Sequence, residues 1–299
     1  MFIGSKYSSI GFPPQTEKGR TMKLFRHGAA GSERPGALDE KGARRDLSPL
    51  IPDITPEWLA PERLRAIAAI DLEKMPLVSE ETRIGAPLNG VPQFIAIGLN
   101  YRRHAAESGL PIPKEPLVFN KAVTCIQGPN DDLVRPEGSE RMDWEAELAF
   151  VVGAKAQRVT VEDALSHVAG YCLANDVSER EWQANRSGQW VKGKSFDSFG
   201  PLGPWLVTAD EIPDPQAIPI TLAVNGAIRQ KSNTSDMIFT VAEILSHLSQ
   251  FMTLLPGDVV VTGTPEGVGA GRKPPQYLKR GDLVVLEGAI LGSQRQRVS

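Results

Sequence analysis

The chain has 299 residues, 33 Lys and Arg against 36 Asp and Glu, a formal charge of −3, and 41% hydrophobic and 23% charged residues. That length suggests about two domains; the composition excludes a disordered chain, and a near-balanced charge without a long basic block leaves no electrostatic footprint for nucleic acid. No apolar run approaches the roughly 20 residues that a membrane helix needs, so no membrane is expected as a partner. Cys125 and Cys172 stand apart in apolar surroundings, with neither metal-ligand nor disulfide spacing, which points to buried thiols in a reducing, cytoplasmic setting.

Residues 1–21 lack a continuous apolar segment and a cleavage site, so no secretory signal is expected, and they are set apart as an N-terminal extension. Met22 opens MKLFRHG, the pattern of a first strand. Residues 22–87 then read as short strands and turns followed by a helix, a small N-terminal α+β domain. Thr55 can cap that helix, with Pro56 at its first position and Glu57 in its first turn. Leu59, Leu64, Ile67 and Ile70 form its apolar stripe, which Pro61 is placed to interrupt. The Gly- and Pro-bearing stretch 84–93 predicts a linker. Residues 88–299 form the larger domain, where strands dominate: 94–99 and 148–152 are apolar runs, 258–262 is β-branched, and 283–286 is another strand. Pro256-Gly257-Asp258 and Arg280-Gly281-Asp282 are turns ahead of strands. Thr240 and Glu243 spell a capping box before Val241, Ile244, Leu245, Leu248 and Phe251 at helical spacing, and 161–168 is a second short helix. With no repeat and no regular βαβ alternation, the fold class is a strand-rich, mixed α+β.

Five groups of residues point to chemistry. In Asp143-Trp144-Glu145-Ala146-Glu147-Leu148, a strand would put Glu145 and Glu147 on one face, about 7 Å apart along the chain. The apolar continuation to Val152 carries those acids inward, where like charges repel and lose hydration unless a hard divalent cation joins them. By itself an ExE pair is most often an ordinary half-exposed strand. The strand Gly170–Ala174 ends at Asn175-Asp176, and Ser178 with Glu181 spells a capping box for a helix that would set Arg180 and Gln183 on one face. Asp176 beside that guanidinium is either a third ligand or an ordinary surface pair. Asn100 can cap a helix that Gly109 and Pro111 end, making His104 and Glu107 neighbours at i, i+3. A carboxylate on one imidazole nitrogen makes the other a directed base, although a solvated helix pair has the same spacing. Lys121 and Lys194 lie in apolar or Gly-rich settings suited to a substrate carboxylate or an enolate oxygen, or to a solvated surface. The loop Thr262-Gly263-Thr264-Pro265-Glu266-Gly267-Val268-Gly269-Ala270-Gly271 matches neither nucleotide fingerprint; its amides and Thr264 suit an anion, or simply a turn.

Taken in order, Gly98-x-Asn100-Tyr101-x-x-His104-x-x-Glu107, Glu145-x-Glu147, Asn175-Asp176-x-Ser178-x-Arg180-x-x-Gln183, Gly193-Lys194 and Thr262-Gly263-Thr264-Pro265 resemble the fumarylacetoacetate hydrolase family, from about Phe94 to near the end. The resemblance implies a mixed β-sandwich or roll around a Mg²⁺ or Mn²⁺ site, in a homodimer. It implies Glu145, Glu147 and Asp176 as metal ligands and His104 with Glu107 as the water-activating pair on a mobile lid. It further implies Lys194 beside the substrate, and Arg180, Gln183, Lys121 and Thr264 near the ligand. Asn120 departs from the family's usual apolar residue, and 288–299 is looser than its final strands. The implied activity is hydrolysis of a C–C bond in a small anionic 2,4-dioxo acid, of acylpyruvate or 2,4-diketo-3-deoxy sugar acid type. An oxo-acid decarboxylase or tautomerase and a ureidoglycolate-type lyase remain alternatives within the family, and a non-catalytic metal-dependent binding protein remains one outside it.

Overall fold

A computed structural model describes residues 22–299; the expected extension 1–21 lies outside the described residues. The chain starts with an antiparallel meander of β1 (Lys23–His27), β2 (Arg34–Leu38) and β3 (Arg44–Asp46), then α1 (Pro61–Ala68) and the short β4 (Ile84–Gly85), which pairs back on β1. The single helix expected from Thr55 is divided. Pro56–Leu59 is a 3₁₀ turn, Thr55 makes no side-chain cap, and Pro61 opens α1 as its first residue. Proline has no amide proton and crowds the carbonyl four residues back, so the chain restarts the helix at the one position where neither matters. The apolar stripe survives the break, with Leu59 and Ile67 buried and Leu64 and Ile70 packed on the core.

Next come β5 (Phe94–Gly98), α2 (Arg102–Ser108), β6 (Leu117–Lys121), β7 (Ile126–Gln127), β8 (Met142–Asp143) and β9 (Ala146–Val152). They are followed by α3 (Val161–Ala164), β10 (Val168–Asn175), β11 (Ser178–Glu179), α4 (Arg180–Ala184), α5 (Val191–Lys194) and β12 (Gly200–Thr208). The last part holds β13 (Pro219–Val224), β14 (Ala227–Asn233), α6 (Val241–Phe251), β15 (Val259–Val261), β16 (Leu283–Gly288) and β17 (Gly292–Arg297). The capping box on α6 forms as expected, Thr240 accepting from the Glu243 amide and Glu243 from the Thr240 amide. The helix expected over 161–168 is one α turn, α3, passing into a 3₁₀ turn at Leu165–His167.

The strand-rich α+β architecture is a large mixed sheet in the order β3-β2-β1-β12-β10-β9-β15-β5-β6, with β4 on β1 and β7 on β12, and a separate four-stranded sheet β14-β13-β16-β17. The small pair β8–β11 stands beside them. Residues 22–87 thus continue the main sheet through β1 and β12. Every residue of β9 and of β10 is buried, because the sheet is covered on both faces and a strand in that place reads as an apolar run rather than an alternation. The smaller sheet lies across the main one: a Cβ at Gly288 would meet the Leu173 side chain, and Gln294 Nε2 donates to the carbonyls of Leu173 and Gly203. Within 288–299, expected to be looser than the family's final strands, β17 (Gly292–Arg297) is a regular strand that pairs along β16 from Leu283–Arg297 to Gly288–Gly292. Its polar residues alternate, and the inward glutamines are matched to main-chain carbonyls, so it needs no apolar run to hold its place.

Candidate active site

Antiparallel pairing of β9 with β10 brings Asn175 opposite Ala146 and Ala174 opposite Glu147, so the start of one strand meets the end of the other. Asp176 follows directly, and its amide donates to the Glu145 carbonyl at 2.9 Å. Oxygens of Glu145, Glu147 and Asp176 consequently come within 4.8 Å of one another, all three side chains buried. Trp144 turns away, its indole N–H donating to the Gly267 carbonyl at 3.1 Å.

Cations offset part of this charge. Lys194 Nζ lies 2.6 Å from Glu145 Oε2 and 2.7 Å from Asp176 Oδ2, and Lys121 Nζ is 2.6 Å from Asp176 Oδ1. Arg180 reaches Asp143 at 2.8 Å and Glu145 at 2.7 Å, and donates to Gln183 Oε1 at 3.0 Å. The guanidinium was expected beside Asp176; it is turned toward β8 and β9 because the helix starts later than the sequence suggests. Ser178 pairs in β11 and donates its hydroxyl to the Asp176 carbonyl, and Glu179 is the residue that caps α4, accepting from the Glu181 amide. Burial opposes ionisation of Glu145, but Lys194 and Arg180 outweigh it and hold its pKa below the usual carboxylate range. Burial likewise opposes the charge on Lys194, and Asp176 and Glu145 more than restore it.

Glu147 is different. Among the described residues its one hydrogen bond comes from the Gly263 amide at 2.7 Å, and no lysine or arginine pairs with it. Burial, then the charges of Asp176 and Glu145, push its carboxyl well above the usual range. A sealed carboxylate short of positive charge, in a set made wholly of oxygen donors with spare lone pairs, fits a hard divalent cation.

The third segment brings an imidazole and a carboxylate together. His104 Nδ1 and Glu107 Oε2 are 3.2 Å apart on α2, and Glu107 also accepts the Gly267 amide at 3.0 and 3.1 Å. Gly109 closes the helix at φ 65°, as its lack of a Cβ permits. The helix is not capped by Asn100: its N-cap is Tyr101, with no side-chain bond. The Asn100 amide instead donates to the carbonyls of Thr262 and Phe239 and accepts the Phe239 amide, tying the start of α2 to the Gly-rich loop and to the chain entering α6.

His104, Glu107, Glu145, Glu147, Asp176, Arg180, Gln183, Lys194 and Thr264 all line one cavity of about 600 Å³. Lys121 does not; fully buried behind Asp176, it also donates to the Lys194 carbonyl. Thr264 presents its hydroxyl to the Ala146 carbonyl at 3.1 Å while accepting from Gln230 Nε2 at 2.8 Å.

Two supporting residues escaped the sequence reading. Asp143, wholly buried, accepts the Gly269 amide at 2.7 Å and the Ala270 amide at 2.9 Å while holding Arg180, so one carboxylate joins the Gly-rich loop to the triad. An aspartate two residues before the ExE pair was visible, but its partners in the loop lie more than a hundred residues on. Gln230, on β14, accepts the Ala146 amide at 2.9 Å and has no signal in its own segment.

The family model described as fumarylacetoacetate (FAA) hydrolase C-terminal matches residues 93–299. The chain belongs to this family. A relative from Burkholderia orbicola (strain MC0-3), named no further than a hydrolase of unassigned reaction, is 54% identical over 277 residues, 92% of this chain and 98% of its own. The solved structure of a fumarylacetoacetate hydrolase from the psychrophile Exiguobacterium antarcticum is 35% identical, with a TM-score of 0.83 over 93% of this chain and 99% of that one. Maleylpyruvate hydrolase from Sphingobium sp. SYK-6 is 27% identical, with a TM-score of 0.77 over 93% and 99%. A 2-hydroxyhepta-2,4-diene-1,7-dioate isomerase from Mycobacterium marinum is 29% identical, with a TM-score of 0.69 over 93% and 98%. The family therefore spans hydrolases and isomerases on one fold, and the fold by itself does not choose between them. No helix among the described residues is long and apolar enough to cross a membrane.

Proposed function

We propose that the chain is a Mg²⁺- or Mn²⁺-dependent hydrolase that cleaves a C–C bond in a 2,4-dioxo acid, an acylpyruvate or a 2,4-diketo-3-deoxy sugar acid. What supports this best is one cavity that holds both an oxygen-only cluster short of positive charge and an imidazole oriented by a carboxylate. Glu145, Glu147 and Asp176 would hold the cation, which when bound would supply Lewis acidity and orient the α-keto acid end of the substrate. His104, with Glu107 on its Nδ1, takes a proton from the water that adds to the distal carbonyl. As the C–C bond breaks, the electron pair passes to the pyruvate fragment as an enolate. The Lys194 ammonium offsets that charge, and reprotonation at carbon gives pyruvate and a second carboxylate. Arg180, Gln183 and Thr264 are the substrate-binding groups on the wall. Lys121 acts through Asp176, which it holds in position.

The same proposal includes a cytoplasmic homodimer in which 22–87 is a small N-terminal domain attached to the catalytic part, 88–299. Similarity to isomerase structures favours one second reading, tautomerisation or decarboxylation of an oxo acid, which uses the enolate without the water. Incubation of the protein and Mg²⁺ or Mn²⁺ with a panel of acylpyruvates separates them. Stoichiometric pyruvate without CO₂, lost in Glu145→Gln, is expected. CO₂, or disappearance of the enol absorbance without pyruvate, supports the second reading. Zero turnover with tight oxalate binding would return the protein to a binding role.

A further inference from the structure

Two of the cavity's cations are already ion-paired: Lys194 bridges Glu145 and Asp176, and Arg180 bridges Glu145 and Asp143. Two others on its wall are not. Arg272 and Lys273 follow the Gly-rich loop and line the same cavity, and neither forms an ion pair with any described residue. Among the described residues the guanidinium of Arg272 makes one hydrogen bond, from Nη2 to the Arg229 carbonyl at 3.5 Å, the outer limit for such a bond, and its buried Nε finds no partner. A guanidinium carries five donors in a rigid fork matched to a carboxylate, and a buried donor left open is costly.

The position of this cation matters as much as its vacancy. Gly271 packs against the Glu107 carboxylate so closely that a Cβ there would lie 2.5 Å from its carboxyl carbon, and Gly267 of the same loop donates to Glu107. Arg272 therefore stands on the side of the water-activating pair, and it pairs with none of Glu145, Glu147 or Asp176. A 2,4-dioxo acid with its α-keto acid end at the triad and its distal carbonyl at His104 extends its acyl chain toward this loop. Leu110, Leu117, Phe119 and Trp190 line the cavity as apolar wall for the intervening carbons.

We propose that Arg272 is a specificity-determining residue that receives a second carboxylate at the far end of the substrate, with Lys273 adding positive charge at the mouth. The substrate is then a dicarboxylate whose acyl half ends in an anion. This rests on the hydrolase reading above.

The test compares two acids of equal length, 2,4-dioxoheptanedioate and 2,4-dioxoheptanoate, in wild type, Arg272→Gln and Arg272→Lys, with Mn²⁺ present. The wild type is expected to favour the dicarboxylate by about tenfold or more in kcat/KM, the order expected when a site's polar group loses its partner. Arg272→Gln collapses that ratio at least tenfold, mainly through KM for the dicarboxylate, and Arg272→Lys restores part of it. Equal kcat/KM for the two acids in the wild type overturns the specificity proposal alone, as does an equal loss against both acids in Arg272→Gln. Turnover of neither acid by the wild type overturns the hydrolase reading, and this proposal with it.

Discussion

Asp143→Asn removes one charge and changes almost nothing in size, so its effect can be worked from the contacts. The carboxylate is wholly buried and accepts amides from Gly269 and Ala270 at 2.7 and 2.9 Å and from Trp144 at 2.9 Å, besides the Arg180 guanidinium at 2.8 Å. An asparagine keeps one acceptor oxygen. Its NH₂ must then face another donor, either the loop amides or the guanidinium. Removing one partner of a buried ion pair costs about 3–5 kcal/mol. Arg180 retains Glu145 at 2.7 Å, which places the expected loss at the low end, about 3 kcal/mol. Urea unfolding followed by tryptophan fluorescence reads it, as a lower midpoint at unchanged slope. Because the same residue anchors the loop that touches Glu107, turnover should fall as well. A loss below about 1 kcal/mol, the scale of a single neutral hydrogen bond, would refute the view that Asp143 is a charged tie between loop and triad.

Three further outcomes follow from the same geometry. Glu147→Gln, which keeps an acceptor for the Gly263 amide, should weaken Mn²⁺ binding in calorimetry by about a hundredfold or more yet raise the thermal midpoint of the metal-free protein, since burial and the charges of Asp176 and Glu145 make ionisation costly at this position and a neutral amide escapes that cost; unchanged affinity would remove Glu147 from the ligand set. His104→Ala should lower kcat by about 10²–10⁴-fold while still binding oxalate in the presence of Mn²⁺, and wild-type kcat would mean that the base lies elsewhere. His27 is buried and its pKa is held below 6.5, chiefly by burial and against the pull of Asp46 at 3.6 Å. It is neutral in the fold and protonated in the unfolded chain below that value, so its contribution is complete above pH 6.5 and declines as pH falls through 6.5 toward the folded pKa. Thermal melts from pH 7.5 to 5.5 should show this slope, and His27→Phe should flatten it.

The residues brought together in the cavity were legible because each candidate unit is local. Glu145 and Glu147 follow from a two-residue period, His104 and Glu107 from one helical turn, and the α6 capping box from a three-residue spacing; the strands were legible as apolar runs. The errors also have a local cause. Asn100 and Ser178 have the composition of helix caps, but a cap is taken only if the residue has no better partner, and Thr55 precedes a 3₁₀ turn that Pro61 cuts off from the helix. Asn100 found the carbonyls of Thr262 and Phe239, and Ser178 a strand partner in Asp143. Residues 288–299 looked loose because their glutamines pair with carbonyls far along the chain, Leu173 of the main sheet and Pro129 of a turn.

By itself the sequence determined which side chains could bind a cation, move a proton or meet an anion, since these depend on residue type and short spacing. Only the tertiary structure decided which acid meets which base. It turned Arg180 from Asp176 to Asp143, placed Lys121 behind the triad rather than in the cavity, and, among the described residues, left Glu147 without a paired cation and Arg272 without an ion pair. Coulomb and hydrogen-bond energies depend on distance through space and on exclusion of water, and both are set by how β9 and β10 pair and by what the loop at 262–273 packs against.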